Sequence, residues 1–212
     1  LDADPEPEIV INLNDDLVVF EHDGTVAWRK TDAAGIALPV LADLTGDGQL
    51  DILYHTGQWG GPNQYRMDLY DYNLGSPTLV WTQTLTSTVE GYGSPAVADI
   101  DGNLPGGDPG PEIAIATSGA LRVFNGEDGS PVWSTPIGLG RPGNVSIADV
   151  DGDGEIEIVA GVVFTTTTTD GRLYAFNADG SILWSVVALD NSPINASVFD
   201  LNGDGAYEVA FN

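Results

Sequence analysis

The chain contains no cysteine, which excludes a disulfide framework, thiolate chemistry and sulfur-ligated metals. Basic residues are almost as scarce. Six stand against 32 acidic ones, with Lys30 the single lysine, and the formal net charge is −26. Such a surface repels nucleic acid and anionic membranes, so neither is expected as a partner. No apolar run approaches the roughly 20 residues that span a bilayer, which argues against membrane insertion. The opening Leu1-Asp2-Ala3-Asp4 has no basic-then-apolar leader, so any signal peptide is expected outside this sequence. Sustained helical periodicity with caps is also missing. His22 and His55 stand far apart, and there is no Ser-His-Asp order, His-rich motif or phosphate loop.

What is present is acid in bursts. Asp149-Val150-Asp151-Gly152-Asp153-Gly154-Glu155-Ile156-Glu157 alternates carboxylates, breaks them with two glycines and runs into an apolar stretch. Carboxylates this close repel one another unless a cation lies between them. An all-oxygen donor set selects a hard ion, and a flexible loop with several carboxylates favours Ca²⁺ over Mg²⁺. Extreme acidity often means disorder, but 42% of residues are hydrophobic and the acids sit between apolar runs. Five bound Ca²⁺ ions would bring −26 to about −16. Extracellular fluid supplies millimolar calcium and a cysteine-free protein needs another staple, so a secreted or cell-surface location is expected.

The acidic burst is one unit of a repeat. Asp43-Leu44-Thr45-Gly46-Asp47-Gly48-Gln49-Leu50-Asp51 and Asp200-Leu201-Asn202-Gly203-Asp204-Gly205-Ala206-Tyr207-Glu208 match it. A fourth copy begins Asp99-Ile100-Asp101-Gly102-Asn103 and, after an insertion, closes Asp108-Pro109-Gly110-Pro111-Glu112. That closing piece reads like Asp4-Pro5-Glu6-Pro7-Glu8, which makes the first eight residues a fifth, shortened copy. A second marker has the same period. Phe20, Tyr72, Phe124 and Phe176 are 52 residues apart, and each precedes a turn signal and then Trp28, Trp81, Trp133 or Trp184. Alternating run, turn, alternating run reads as a β-hairpin.

In the clearest unit, strands are expected over 144–148, 157–163, 173–176 and 182–187. Four short antiparallel strands in about 50 residues mark a β-propeller blade. The chain therefore reads as all-β, with about four blades that form part of a larger propeller. As one propeller over 1–212, its units are approximately 1–37, 38–92, 93–142, 143–193 and a partial 194–212. Counting strands unit by unit gives 17, which is not a multiple of four, and open strand edges would allow self-association.

These loops resemble the FG-GAP and VCBS repeats of calcium-binding β-propellers, the repeat type of the integrin α head. The residues that carry the likeness are Val145-x-Ile147-Ala148-Asp149-x-Asp151-Gly152-Asp153-Gly154-x-x-Glu157-Ile158-Val159-x-Gly161. The resemblance implies side-chain oxygens from Asp149, Asp151, Asp153 and Glu157, with the Glu155 carbonyl. It likewise implies Asp43, Thr45, Asp47 and Asp51 with the Gln49 carbonyl, and Asp200, Asn202, Asp204 and Glu208 with that of Ala206. Asp99, Asp101, Asn103, Asp108 and Glu112 would form the inserted site, and Asp2, Asp4 and Glu8 the shortened one. Three Ca²⁺ sites are expected, and up to five. The family's Phe-Gly and Gly-Ala-Pro pairs are absent, and Pro5 and Pro109 stand where other copies carry glycine. A local likeness links Gly171-x-Leu173-Tyr174-Ala175-Phe176-Asn177-Ala178-Asp179-Gly180-x-x-x-Trp184 to the tryptophan repeat of quinoprotein dehydrogenases, and is read as shared hairpin chemistry.

The four hairpin tryptophans are expected to pack between blades or at blade edges rather than stack on sugars. Trp59 falls outside the repeat, in the connection 57–66, so Trp59, Tyr65 and Arg66 are the candidate contact surface for a protein or glycan ligand. Asn144-Val145-Ser146 and Asn195-Ala196-Ser197 fit the glycosylation acceptor but are expected to be buried. The residues suggest no catalytic constellation. The expected function is a non-enzymatic extracellular structural or adhesion module stabilised by calcium. The alternatives are a carbohydrate-binding or carbohydrate-active propeller, either lectin or polysaccharide lyase, and a subunit of an extracellular filament.

Overall fold

A computed structural model describes residues 1, 5–13, 16–31, 38–56, 65–72, 77–85, 93–102, 104–164, 171–188, 193–205 and 207–211. Its described elements are all strands. The first sheet is β1 (Ile9–Leu13), β2 (Asp16–Phe20) and β3 (Val26–Lys30), in that order. The second is β4 (Val40–Ala42), β5 (Asp51–Thr56), β6 (Arg66–Asp71) and β7 (Thr78–Thr84). The third is β8 (Ala96–Ala98), β9 (Glu112–Thr117), β10 (Gly119–Asn125) and β11 (Pro131–Gly138). The fourth is β12 (Gly140–Ala148), β13 (Glu157–Phe164), β14 (Gly171–Phe176) and β15 (Ile182–Ala188), and β16 (Ala196–Phe199) pairs with β17 (Glu208–Phe211). Every neighbouring pair is antiparallel. These five sheets are successive blades of a β-propeller.

Burial explains why the blades read differently strand by strand. The second strands β5 and β9 are buried at every position, and β13 at all but the last. Such strands are covered on both faces, so their sequences are continuous apolar runs without alternation. Outer strands such as β7 alternate instead, because one face meets solvent. By contacts the chain falls into two compact units. One comprises 1–86 with 126–129, and the other 87–125 with 130–212. In the first unit, Leu17, Val19, Ile52, Tyr54, Tyr70 and Tyr72 form a core against Trp28. In the second, Leu121, Val123, Ile158, Ala160, Tyr174 and Phe176 form another, with Trp133 at its edge.

Two of the hairpin tryptophans reach the turn of the following blade, in line with the expected packing between blades. The Trp81 indole N–H donates to the Gly126 carbonyl at 2.9 Å, and that of Trp133 to the Ala178 carbonyl at 2.8 Å. Each ring covers a turn glycine, Gly129 or Gly180, where an added Cβ would lie 2.8 Å from the ring. The two acceptor asparagines differ from expectation, since both Asn144 and Asn195 are exposed. Their side-chain oxygens fasten neighbouring backbones, accepting from Ser94 N at 2.8 Å and Asn144 N at 2.9 Å. The threonine run 165–169 lies outside the described residues.

Candidate metal centre

The loops 43–51, 99–112, 149–157 and 200–208 each join the first strand of a blade to the second, and one geometry recurs. In the loop 149–157, Gly152 N and Gly154 N donate to the two oxygens of Asp149, at 2.7 and 3.0 Å. Asp153 N reaches Asp151 and Glu155 N reaches Asp153, at 3.2 and 2.8 Å. Gly152 and Gly154 have φ of +79° and +89°, a left-handed backbone that side chains disfavour, so the loop needs both glycines. The first residue of β13, Glu157, closes the loop by accepting from Val150 N at 2.8 Å.

Here three carboxylates converge. Asp149, Asp151 and Glu157 each offer an oxygen within 4.8 Å of the others, and so do Asp99, Asp101 and Glu112 in the inserted loop. The closing acids are the buried members, at 1% exposure for both Glu112 and Glu157. Burial pushes the Glu112 carboxyl up to about 7, against the pull of the Ile100 and Asp101 amides and aided by the charges of Asp101 and Asp108. Glu157 is raised for the same reason, desolvation first and then the charges of Asp151, Asp153 and Asp149. An ion among these oxygens would reverse that shift. In the inserted loop Asp108 turns toward Asn125, whose Nδ2 donates to it at 3.2 Å, and Asn103 lies outside the described residues.

The loops 43–51 and 200–208 share the fold but not the triple convergence. Asp43 accepts from Asp47 N and Gly48 N, and Asp51 accepts from Leu44 N and Thr45 N with one oxygen, Oδ2. Its other oxygen, Oδ1, is buried with no hydrogen-bond partner among the described residues. Burial raises the Asp51 carboxyl, and the charge of Asp71 adds to this against the Thr45 and Leu44 amides. Thr45 and Asn202 stand where Asp151 supplies a carboxylate. Asp200 accepts from Gly203 N and Gly205 N, which hold its carboxyl below the usual range. Glu208 closes that loop on Leu201 N at 2.8 Å, and Ala206 lies outside the described residues. In the shortened copy Glu8 pairs with the Leu1 ammonium at 2.6 Å, and Asp2 and Asp4 lie outside the described residues.

Among the described residues no basic side chain pairs with Asp43, Asp51, Asp99, Asp101, Asp149, Asp151 or Glu157. Basic side chains pair elsewhere, Arg29 with Asp16 and Arg66 with Asp68. The all-oxygen donor sets, the buried closing acids and the orphaned Asp51 oxygen fit a hard divalent cation.

The contact surface expected at 57–66 is described only at its end. Arg66 donates from Nε to Asp68 at 3.0 Å, Tyr65 stacks on His55 with ring centroids 6.4 Å apart, and Trp59 lies outside the described residues. His55 itself is buried, and desolvation pulls its imidazole down to about 4. No sequence signal marked it, because a polar residue at the end of a buried strand looks like a strand boundary.

Comparison with known proteins identifies the lineage. Residues 65–199 match the family described as outer membrane protein assembly factor BamB. A lambda-carrageenase of Pseudoalteromonas carrageenovora is 29% identical over 109 residues, which are 51% of this chain and 10% of that protein. The chain thus spans about a tenth of the curated relatives it matches. Among solved structures, a Bacillus licheniformis rhamnogalacturonan lyase superposes with a TM-score of 0.63 at 21% identity, covering 93% of this chain and 35% of that one. BamB from Moraxella catarrhalis does so at 0.57 and 16% identity, covering 92% and 52%. At these identities the likeness is one of fold. The match over 65–199 overturns the assignment to FG-GAP and VCBS repeats. Acidic loops drew that assignment, yet they occupy only short connections, whereas the tryptophan hairpins shape whole blades. The chain belongs to the outer membrane protein assembly factor BamB family.

Proposed function

We propose that this chain is a calcium-stabilised propeller segment of an extracellular carbohydrate-active protein. The observation that carries the reading is the 29% identity with lambda-carrageenase over 109 residues. The lyase-like fold agrees with it. It replaces the non-enzymatic adhesion module as the better-supported function. Polysaccharides are too large to enter a cell, so an extracellular location follows from the substrate class as well as from the calcium requirement. The segment contributes a rigid scaffold, with Asp149, Asp151 and Glu157 and also Asp99, Asp101 and Glu112 holding Ca²⁺ between the first two strands of a blade. Asp43, Asp47 and Asp51, with Thr45, form a weaker site, because a neutral oxygen replaces one carboxylate.

Sugar contact is assigned to the connection ending at Tyr65 and Arg66, with Trp59 as the stacking ring. An array of anionic and neutral polysaccharides tests the reading. Binding of at least one class, weakened on Trp59→Ala with an unchanged melt, is expected. A blank array in the presence of calcium would sink it.

A further inference from the structure

Lys30 is the single lysine, and among the described residues it pairs with no acid, although acids outnumber bases 32 to six. Its Nζ lies instead over the Tyr70 ring, 5.9 Å from the centroid. The repeat does not demand a cation at this position. Two residues after each later hairpin tryptophan stand Gln83, Thr135 and Val186. A cation left over in so acidic a chain is available to a ligand.

Register gathers a second cation beside it. On β6 the side chains of Arg66, Asp68 and Tyr70 share one face by alternation. On the first sheet Lys30 stands opposite Leu17 and Trp28 opposite Val19. Leu17, Val19 and Trp28 belong to the core that holds Tyr70, so the face carrying Lys30 meets the face carrying Arg66. Asp68 is buried and fully engaged, with Oδ2 accepting from Arg66 Nε at 3.0 Å and Oδ1 from Thr82 Oγ1 at 2.8 Å. That bond fixes the guanidinium by one edge. Its two terminal nitrogens donate to no described residue, and the Arg66 side chain is 37% exposed. Burial first and then the charge of Asp68 push the Tyr70 phenol up against the pull of Arg66, which leaves it a protonated donor.

The acids of the first two sheets are Asp16, Asp51, Asp68 and Asp71. Asp16 is held by Arg29, while Asp51 and Asp71 lie at the opposite end, where the acidic loop enters β5. Arg66 pairs with Thr56, five residues along β5 from Asp51, a distance of about 17 Å. That is about two screening lengths at physiological salt, so the field of the loop is weak at this end. We propose that Lys30 and Arg66 form a subsite for an anionic group, carboxylate or sulfate ester, on a sugar unit of an acidic polysaccharide. This deepens the carbohydrate-active reading, on which it rests, by giving the sugar a charge. Arg66 supplies a planar set of donors and Lys30 a point charge, with Asp68 as the positioning residue for the guanidinium. Arg66 also closes the connection that carries Trp59, which puts the stacking ring and the anion subsite on one stretch of chain.

A lone lysine lets the site be read chemically. The 212-residue chain in calcium is acetylated with an N-hydroxysuccinimide ester, and the rate at Lys30 is followed by peptide mass against the Leu1 amine. Oligogalacturonate, a sulfated galactan oligosaccharide, a neutral galactan oligosaccharide and sodium sulfate are compared at matched ionic strength. One acidic oligosaccharide or both should slow Lys30 about fivefold near saturation, with no effect of the neutral sugar or of sodium sulfate. Slowing by the uronate alone or by the sulfate ester alone supports the subsite and names its anion. Equal slowing by the neutral sugar or by sodium sulfate would overturn it. As an independent readout, Lys30→Met keeps the apolar stem and should weaken binding of the acidic polysaccharide about tenfold with an unchanged melt, and Lys30→Arg should restore most of it. Affinity unchanged in Lys30→Met would count against the subsite. If acidic polysaccharide binds while Lys30 reacts at its full rate, the subsite fails and the carbohydrate-active reading stands, whereas if no polysaccharide of any class binds, both fail.

Discussion

The loops 43–51 and 149–157 have the same backbone and the same kind of buried closing acid, yet they solve the problem of that acid differently. In 149–157 three carboxylates converge, with Glu157 at 1% exposure in the middle of like charges. In 43–51 Thr45 takes the middle position, and Asp51, at 0% exposure, draws on two backbone amides while its second oxygen stays unsatisfied. The first arrangement is strongly repulsive without a cation and strongly attractive with one. The second is milder in both respects. Carboxylate count should therefore set how much each blade depends on calcium, and the hydrogen bonds should set what survives its removal.

The sharpest break of this comparison is Glu157→Gln. In 10 mM calcium it is expected to cost about 4 kcal/mol, the loss of a site of about 10⁻⁴ M affinity plus a weakened bond to Val150 N. In EDTA the same variant should equal or exceed the parent, since it removes a buried charge. Denaturant melts in both buffers read the two signs, and destabilisation of equal size in both would show that Glu157 acts only as a cap.

Acid should separate the blades next. His55 lies in β5, which leaves the loop 43–51, and its counterpart in β13 is Gly161. Burial depresses the His55 imidazole to about 4 from an ordinary 6.5. Its contribution is therefore full above pH 6.5 and lost as pH falls from 6.5 toward 4, where only the unfolded chain takes up the proton. The loss is about 3 kcal/mol at the low end. His55→Leu should flatten the melting profile across that window, and an unchanged slope would contradict the assignment.

The turns offer a smaller effect. Gly180→Ala meets the Trp133 ring as well as a left-handed φ and should cost about 2 kcal/mol, whereas in this chain Gly24→Ala carries only the φ penalty of about 1 kcal/mol. Paired chemical denaturation measures the difference. Smallest is the charge exchange between the two loops. Thr45→Asp should raise calcium affinity at 43–51 roughly tenfold, and Asp151→Thr should lower it at 149–157 by a similar factor. Calorimetric titration that finds neither shift would remove carboxylate count as the determinant.

Much of this was legible in the residues. Seventeen strands were expected, and the described residues form seventeen, because acidic loops and Asp-Gly turns punctuate each blade in sequence. The hairpin tryptophans were readable as packing residues from their fixed distance to Phe124 and Phe176. Lineage was misread because the acidic motif is vivid in sequence but small in structure, while the tryptophan hairpin carries the inter-strand contacts. The closing acids showed their identity in sequence but not their second task. Which amides Asp51, Glu112 and Glu157 accept from depends on where the loop folds back, and no spacing rule states that. Nor did the 51-residue spacing of Asn144 and Asn195 announce the ladder in which each side chain holds the next backbone.

The central claim is that cations among these oxygens tie the first strand of a blade to the second, and a thermal melt of the chain in 10 mM calcium against EDTA tests it most directly. Two filled sites of about 10⁻⁴ M affinity should separate the melting temperatures by on the order of 10 °C, with bound calcium found by elemental analysis and magnesium failing to restore the difference. Coincident melts together with no bound calcium would contradict the account.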